Sequence, residues 1–183
     1  METKMNLEEM NTLIDISTLK PSFFRVDRLV FEDGESIKPS GEYVSKLTAS
    51  QNQVELLLEE SRPKNLLSRS EALFVFADLK DAIRFCSKLT DSYVYEVVPE
   101  STNGMHKADM NIVEVLYKTT CEHERKKWAQ RYWDVECVVG YPCYEYLVMS
   151  ARVRRQLFSH KECCSMMKSQ QILYQYIANK FLK

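Results

Sequence analysis

A carboxylate inside an otherwise uncharged apolar segment is the first candidate for chemistry. Glu145 lies in the segment YEYLVM, where the alternation of a strand places it on the same face as Leu147 and Met149. Burying a carboxylate there costs several kcal/mol unless it is paired or hydrogen-bonded, and residues placed at such a cost are often functional. If the alternate residues of this strand form its core side instead, Glu145 faces solvent. The alternation of side chains does not decide between these two interpretations.

Three other segments carry side chains that could bind an anion or a planar ring. Arg25 lies within an aromatic strand, where a guanidinium can clamp a phosphate or carboxylate. It could equally lie on a solvated edge, paired with Asp27 or Glu32. Ser68-Arg69-Ser70 places two hydroxyls and a guanidinium before a buried strand, although alone it is a polar turn. Tyr132-Trp133 could stack on a ring or pack in the core.

The strands and helices that must position these residues alternate irregularly along the chain. Strands are predicted at 22–31, Ala72–Ala77, 93–99 and 110–117, with two more in 137–153 separated by the turn Gly140-Tyr141-Pro142. Helices are predicted at 6–15 (closed by Pro21), at 51–60 (closed by Pro63), after the N-cap residue Asp78, at 122–132, and as a basic amphipathic helix at 160–183. This irregular order favours an α+β fold with a mostly antiparallel sheet.

Size and glycine content restrict the ways in which a nucleotide could be bound. The 183 residues fit a single domain, 1–183, without repeats or a linker. The only four glycines are Gly34, Gly41, Gly104 and Gly140, and no two are closer than seven positions. Neither a Walker loop nor a G-x-G-x-x-G turn can therefore be formed. Any bound nucleotide must be held in some other way.

Charge is nearly balanced overall but uneven along the chain. The formal net charge is −1, which excludes the general basic surface of a nucleic-acid coat protein. Residues 1–60 carry 6 basic and 12 acidic groups, whereas residues 151–183 carry 7 basic groups and 1 acidic group. This basic end could face a polyanion or an acidic partner, or it could be a solvated helix face.

The six cysteines do not indicate a disulfide framework. The chain opens METKMNLEEM without an apolar signal segment, and no apolar run approaches the length of a membrane span, so we expect a soluble cytoplasmic protein with reduced thiols. A zinc site built from His160, Cys163 and Cys164 with Cys121 or His123 lacks the paired C-x-x-C spacing. No local signature marks a nucleophilic cysteine, so buried small apolar residues are the favoured interpretation.

The order of the motifs over residues 22–155 resembles the ADP-ribosyltransferase superfamily. The similarity lies in an arginine-bearing first strand, the segment SRSEALFVFADLKDAIRF, the Tyr-Trp pair and the late strand beginning EYLV. It is strongest to uncharacterised bacterial members and to nucleic-acid-modifying toxins of that superfamily. The resemblance implies a split, mostly antiparallel sheet with flanking helices.

The resemblance also implies transfer of ADP-ribose from NAD, with release of nicotinamide and without a metal. Glu145 would be the catalytic glutamate, which hydrogen-bonds the ribose 2′-hydroxyl while positive charge develops at the anomeric carbon. Arg25, or its neighbour Arg28, would hold NAD. Ser68 would brace the nicotinamide ribose, Arg69 would reach a phosphate, and Tyr132 or Trp133 would cover the nicotinamide ring.

The sequence departs from the superfamily pattern in ways that bear on the acceptor. Members that modify protein arginine usually carry Glu or Gln two positions before the catalytic glutamate, where this chain has Cys143, and many members have threonine in place of Arg69. The cysteine puts protein arginine in doubt as the acceptor. The basic C-terminal end and the aromatic residues suit a polyanion, so we expect a nucleic-acid acceptor, RNA or single-stranded DNA, as in a bacterial or phage-defence toxin with a possible antitoxin partner.

Other functions remain open from the sequence. The acceptor could be a protein, or the chain could be a non-catalytic binding module on the same fold. A metal-independent ribonuclease using Arg, Glu and one of His106, His123 and His160 is a third hypothesis, although none of these histidines lies in a recognisable motif.

Overall fold

The computed structural model describes residues 22–138 and 140–181. The predicted N-terminal helix at 6–15 and its end at Pro21 lie outside the described residues, as do the last two positions of the predicted C-terminal helix.

Seven strands form one antiparallel sheet across the described residues. In sheet order the strands run β2-β7-β4-β1-β3-β6-β5. Their bounds are β1 Phe23–Asp27, β2 Ser36–Ile37, β3 Leu73–Phe76, β4 Tyr93–Pro99, β5 His106–Asp109, β6 Tyr144–Val148 and β7 Ala151–Ser159. Strands that alternate with helices but pair antiparallel confirm the α+β class.

Five α-helices flank this sheet in the described part of the chain. They are α1 Ala49–Glu60, α2 Leu79–Cys86, α3 Asn111–Lys118, α4 Glu122–Trp133 and α5 His160–Phe181, with short 3-10 helices at Val44–Lys46 and Arg69–Glu71. Thr48 begins α1 with a capping box, and Asp78 caps α2 as predicted by accepting from the Lys80 N–H. None of the described helices has the length and apolar character needed to cross a bilayer.

The sheet has two buried faces with different coverings. On one face, Phe74, Leu147 and Ala108 pack against α1, α3 and α4, and Phe76 and Val26 pack against residues of α2 and α5. The other face carries a separate cluster: Phe23, Ile37, Leu73, Val75, Tyr95, Val97, Val148, Ala151 and Val153. Because side chains alternate along a strand, β1, β3, β4, β6 and β7 each contribute to both faces. Glu145 belongs to the face covered by the helices, since its register partner is Phe76.

The pairing of strands is uneven at the centre of the sheet. Strand β1 pairs with β4 from Phe23 to Asp27, whereas its register with β3 consists of Phe24 opposite Phe76. The two halves of the sheet are therefore joined weakly between β1 and β3. The side chain of Arg25 lies at this junction and donates through Nη1 to the carbonyl of Phe74 at 2.9 Å.

The prediction of a strand at 110–117 is wrong. This segment forms helix α3, and the neighbouring strand β5 ends just before it at Asp109. Ile112, Val113 and Leu116 are buried, which is the spacing of one helix face. The Asp109 carboxylate accepts from the Asn111 N–H at 3.0 Å at the start of this helix. The β-branched residues of this segment are typical of strands, so the helical period is clear only from the burial pattern.

The interpretation of 137–153 is correct in part. Strand β6 forms after the Gly140-Tyr141-Pro142 turn, but residues 137 and 138, before the turn, are not in a strand. The second strand of the segment is β7, which begins at Ala151 after Met149 and Ser150. Asp109 accepts from the backbone N–H groups of Val138 and Cys143, and these bonds hold the segment as a loop.

Candidate functional site

Arg69 is the centre of a buried polar network. It begins the 3-10 helix Arg69–Glu71, whose N-cap residue Ser68 accepts from the Ser70 N–H. This short turn directs the guanidinium beneath the sheet, where the residue is 6% exposed. The guanidinium lies over the rings of Phe74 and Tyr132, at 4.7 and 5.0 Å from their centroids.

Glu145 meets this guanidinium from strand β6. Its register neighbours are Phe76 on β3 and Ala108 on β5, and the residue is 3% exposed. Oε1 of Glu145 accepts from Nη1 of Arg69 at 2.6 Å and from the Tyr132 hydroxyl at 2.8 Å. Oε2 of Glu145 accepts no hydrogen bond from the described residues. One carboxylate oxygen is therefore fixed, and the other is left as an acceptor.

Tyr132 links the arginine to the glutamate. It lies fully buried in the last turn of α4. Its hydroxyl accepts from Nη1 of Arg69 and donates to Glu145. Burial raises the pKa of Tyr132 well above its ordinary value, so the hydroxyl keeps its proton and can donate to the carboxylate.

Glu55 is a second carboxylate of the network, and it was not among the candidates predicted from the sequence. It lies on α1 and is 8% exposed. Its Oε2 accepts from Nε of Arg69 at 2.8 Å, and its Oε1 accepts from Nη2 of Arg69 at 3.2 Å and from the Tyr43 hydroxyl at 2.7 Å. The sequence signal that could have identified Glu55 was its position as a single charged residue inside the apolar run Val54–Leu58.

The charges of the network do not balance. Two carboxylates, Glu55 and Glu145, share the single guanidinium of Arg69. Burial alone would lower the pKa of Arg69, but Glu145, Tyr132 and Glu55 raise it well above its ordinary value. The guanidinium therefore stays charged, and by formal charge Glu55, Glu145 and Arg69 together carry one negative charge in excess. Such a site favours a ligand or transition state that brings positive charge.

A small cavity of about 120 Å³ opens beside this network. Its walls include Tyr43, Glu55, Arg69 and Ser70, together with Asn52 and Glu59 of α1. Pockets for whole small molecules usually exceed about 300 Å³, so this cavity is too small for a dinucleotide, and Glu145 is not among its lining residues. A larger cavity, of about 320 Å³, lies between α1 and α4 and includes none of the network residues.

Ser68 and Trp133 lie near the network but have partners of their own. The Ser68 hydroxyl donates to Glu59 at 2.9 Å and lies 2.8 Å from the Ser70 hydroxyl. The Trp133 indole N–H donates to the Leu58 carbonyl at 2.7 Å, within the core cluster. Of the Tyr-Trp pair, the structure brings Tyr132 rather than Trp133 into contact with Glu145. The assignment of Ser68 to a ribose stays a prediction.

The structure does not bring Arg25 and Glu145 together. Phe24, Phe76 and Glu145 occupy one row of the register, so Arg25 lies on the opposite face of the sheet. Its guanidinium forms an ion pair with Asp27 at 2.7 Å, which is one of the two pairings anticipated from the sequence. The rival Arg28 is exposed and donates to the Thr90 carbonyl. NAD binding by either arginine stays a prediction.

The three histidines lie in different parts of the fold. His106 is buried, with Nε2 at 3.2 Å from the Tyr132 carbonyl, and burial lowers its pKa. His160 contacts the Cys86 carbonyl through Nδ1 at 2.9 Å, and His123 is exposed. Among the residues that the structure describes, no group of three or more His, Cys, Asp or Glu side chains is placed to hold a metal ion.

No family model matches the chain, and no curated protein matches its sequence.

Proposed function

We propose that this protein is a mono-ADP-ribosyltransferase that uses NAD as its substrate and releases nicotinamide. The observation that carries the proposal is the asymmetry of Glu145, with Oε1 held by Arg69 and Tyr132 while Oε2 accepts no bond from the described residues. A buried carboxylate with one fixed and one available oxygen suits a reaction that develops positive charge on a sugar. We propose NAD as the substrate because the order of the motifs in the sequence resembles that of ADP-ribosyltransferases.

In the proposed reaction, Oε2 of Glu145 accepts a hydrogen bond from the 2′-hydroxyl of the nicotinamide ribose. The bond between the anomeric carbon and the nicotinamide nitrogen breaks, and its electron pair leaves with nicotinamide. The excess negative charge shared by Glu55, Arg69 and Glu145 stabilises the oxocarbenium-like carbon. An acceptor then bonds to this carbon and loses a proton, for which Glu145 is the nearest base in the proposed geometry.

We propose a nucleic acid, RNA or single-stranded DNA, as the acceptor. Cys143 is buried two residues before Glu145, and burial raises its pKa to about 12, so this position offers a neutral thiol rather than a second carboxylate. The basic end of the chain adds exposed arginines on β7, although Arg152 pairs with Glu100, and Arg154 and Arg155 pair with Glu96. In this proposal the protein acts as a bacterial or phage-defence toxin.

The test is incubation of the purified protein with NAD labelled in its adenylate part. RNA, single-stranded DNA and cell protein are offered in separate reactions, and free nicotinamide is measured in each. Label in RNA or DNA, absent with Glu145→Gln, supports the proposal. Label in protein alone moves the acceptor to a protein. Absence of nicotinamide release with every acceptor contradicts the activity.

One observation favours a non-catalytic binding module as a second candidate. Glu145 is 3% exposed and forms an ion pair with Arg69, so the network can serve to join α1, α4 and the sheet. A module of this kind would bind NAD or a nucleic acid without consuming NAD. Isothermal calorimetry with NAD, run beside the nicotinamide assay, separates binding from turnover.

A further inference from the structure

The two carboxylates that share Arg69 are bonded differently. Both oxygens of Glu55 are occupied, Oε2 by Nε of Arg69 and Oε1 by Nη2 of Arg69 and the Tyr43 hydroxyl. Glu145 uses only Oε1. A carboxylate whose two oxygens are held by protein donors has little capacity left for a substrate. Glu55 is therefore suited to holding Arg69, and Glu145 to meeting a ligand.

The bonds to Glu55 also fix the direction of the guanidinium. Nε and Nη2 of Arg69 face Glu55, in the two-point geometry by which a planar guanidinium is oriented most firmly. Nη1 is left to point at Tyr132 and Glu145. Without the two bonds to Glu55, the guanidinium could turn and take both oxygens of Glu145.

Glu55 also affects the net negative charge that a ligand beside Glu145 would experience. With both carboxylates in place, the positive charge of Arg69 is divided between them. If Glu55 were neutral, Arg69 and Glu145 would form a one-to-one pair with no excess negative charge. Since the field of Glu145 acts on developing positive charge, this change would weaken transition-state stabilisation more than substrate binding.

We propose that Glu55 is a positioning residue of the active site: it clamps Arg69 so that Nη1 fixes Oε1 of Glu145 and leaves Oε2 for the ribose. This inference rests on the proposed NAD reaction for its effect on rate. The orientation of Arg69 is independent of that reaction and can be measured separately.

The kinetic test compares Glu55→Gln with the wild type in nicotinamide release. A glutamine keeps the shape, but it has one acceptor oxygen and its amide group turns donors toward Arg69. We expect kcat to fall at least tenfold while KM for NAD changes less than twofold. Glu60→Gln, an exposed charge change on the same helix, should keep wild-type kcat. An unchanged kcat in folded Glu55→Gln overturns the proposal.

Tyr43→Phe provides a second variant in case Glu55→Gln does not fold. It removes the hydroxyl that donates to Oε1 of Glu55 and leaves all charges in place. We expect a loss of kcat of about threefold, from a looser clamp, again with KM unchanged. Wild-type kcat in this variant counts against the clamp. A rise in KM with constant kcat also overturns the positioning role, because it assigns the residue to substrate binding.

A nuclear magnetic resonance measurement keeps this inference separate from the proposed function. The Nε–H signal of Arg69, assigned with Arg69→Lys, should exchange slowly with solvent in the wild type and rapidly in Glu55→Gln. Slow exchange in both proteins overturns the clamp whether or not NAD is consumed. Rapid exchange in the variant supports the clamp even if nicotinamide is never released, in which case only the proposed function fails.

Discussion

Nη1 of Arg69 lies 2.6 Å from Oε1 of Glu145, although the two residues are 76 positions apart in the sequence. The contact joins the short helix before β3 to the second residue of β6. Because both side chains are nearly inaccessible to water, their attraction is screened far less than that of a surface pair. The pair therefore fixes the position of the carboxylate that the proposed reaction requires.

Glu145→Gln should abolish NAD consumption while the protein stays folded. The amide keeps the shape of the side chain but removes the charge that stabilises the oxocarbenium-like carbon, so we expect nicotinamide release to fall by about 10²–10³-fold. The assay measures free nicotinamide, and the thermal unfolding midpoint checks the fold. Glu71→Gln, an exposed charge change near Arg69, is the matched control. Full activity in Glu145→Gln would remove the glutamate from the mechanism.

Arg69→Met should destabilise the protein strongly. Without the guanidinium, Glu55 and Glu145 are left as buried carboxylates without a cationic partner, a loss of about 3–5 kcal/mol in unfolding free energy at neutral pH. Urea unfolding at pH 7 measures this loss.

Arg84→Met is the control for the arginine substitution, because Arg84 is exposed on α2. We expect this variant to unfold within about 0.5 kcal/mol of the wild type. If Arg69→Met were equally stable, the two carboxylates would not depend on the guanidinium, and the buried network would lose its structural basis.

Tyr132→Phe should weaken the same network without changing its charge. The variant removes a hydroxyl that accepts from Arg69 and donates to Glu145, and the loss of a hydrogen bond to a charged group costs about 1.5–3 kcal/mol. Nicotinamide release should fall less than in Glu145→Gln, because the carboxylate remains. Tyr146→Phe, on the opposite face of the sheet, is the control. Equal stability of the two variants would contradict the bridging role of Tyr132.

Local signals in the sequence predicted much of the fold. The Asp78 N-cap, strand 93–99 and the helix from Glu122 each depend on residues close together in the chain, and all are present. Segment 110–117 was misassigned because its Ile and Val residues suit a strand as well as a buried helix face. Periodicity over eight residues does not separate these two cases.

The candidate site was predictable as separate residues but not as a network. Glu145 was singled out from its apolar neighbours with its burial left open, and Arg69 and the pair Tyr132-Trp133 were singled out as polar and aromatic motifs. That Glu145, Arg69 and Tyr132 meet depends on packing between distant segments. The same holds for Glu55, which joins them from α1. The face of Arg25 depends on register with β3 and β4, which the strand sequence does not specify.

His106 should make the stability of the folded protein depend on acid pH. Burial lowers the pKa of His106, so the unfolded chain binds a proton near the ordinary pKa of about 6.5 before the folded protein does. The stabilising contribution is complete above that pH and is lost as the pH falls below it. Between pH 7 and pH 5, the unfolding free energy of His106→Gln should therefore fall less than that of the wild type.

Urea unfolding at several pH values tests this prediction, with His123→Gln as the control because His123 is exposed on α4. The control should follow the wild-type curve. If His106→Gln also follows the wild-type curve, protonation of His106 does not limit acid stability, and other groups must account for it.

The cysteines should react with a thiol reagent in two classes. Burial raises the pKa of both Cys143 and Cys163 to about 12, so at pH 8 each is a protonated thiol and a weak nucleophile. Cys121 and Cys137 are exposed and should be modified quickly by 5,5′-dithiobis(2-nitrobenzoate). The double variant Cys121→Ser/Cys137→Ser should lose this fast phase, and its Cys143 and Cys163 should be labelled only in denaturant. Rapid labelling of Cys143 in the folded protein would mean that the strand beside Glu145 opens to solvent, contrary to the closed network that holds the carboxylate.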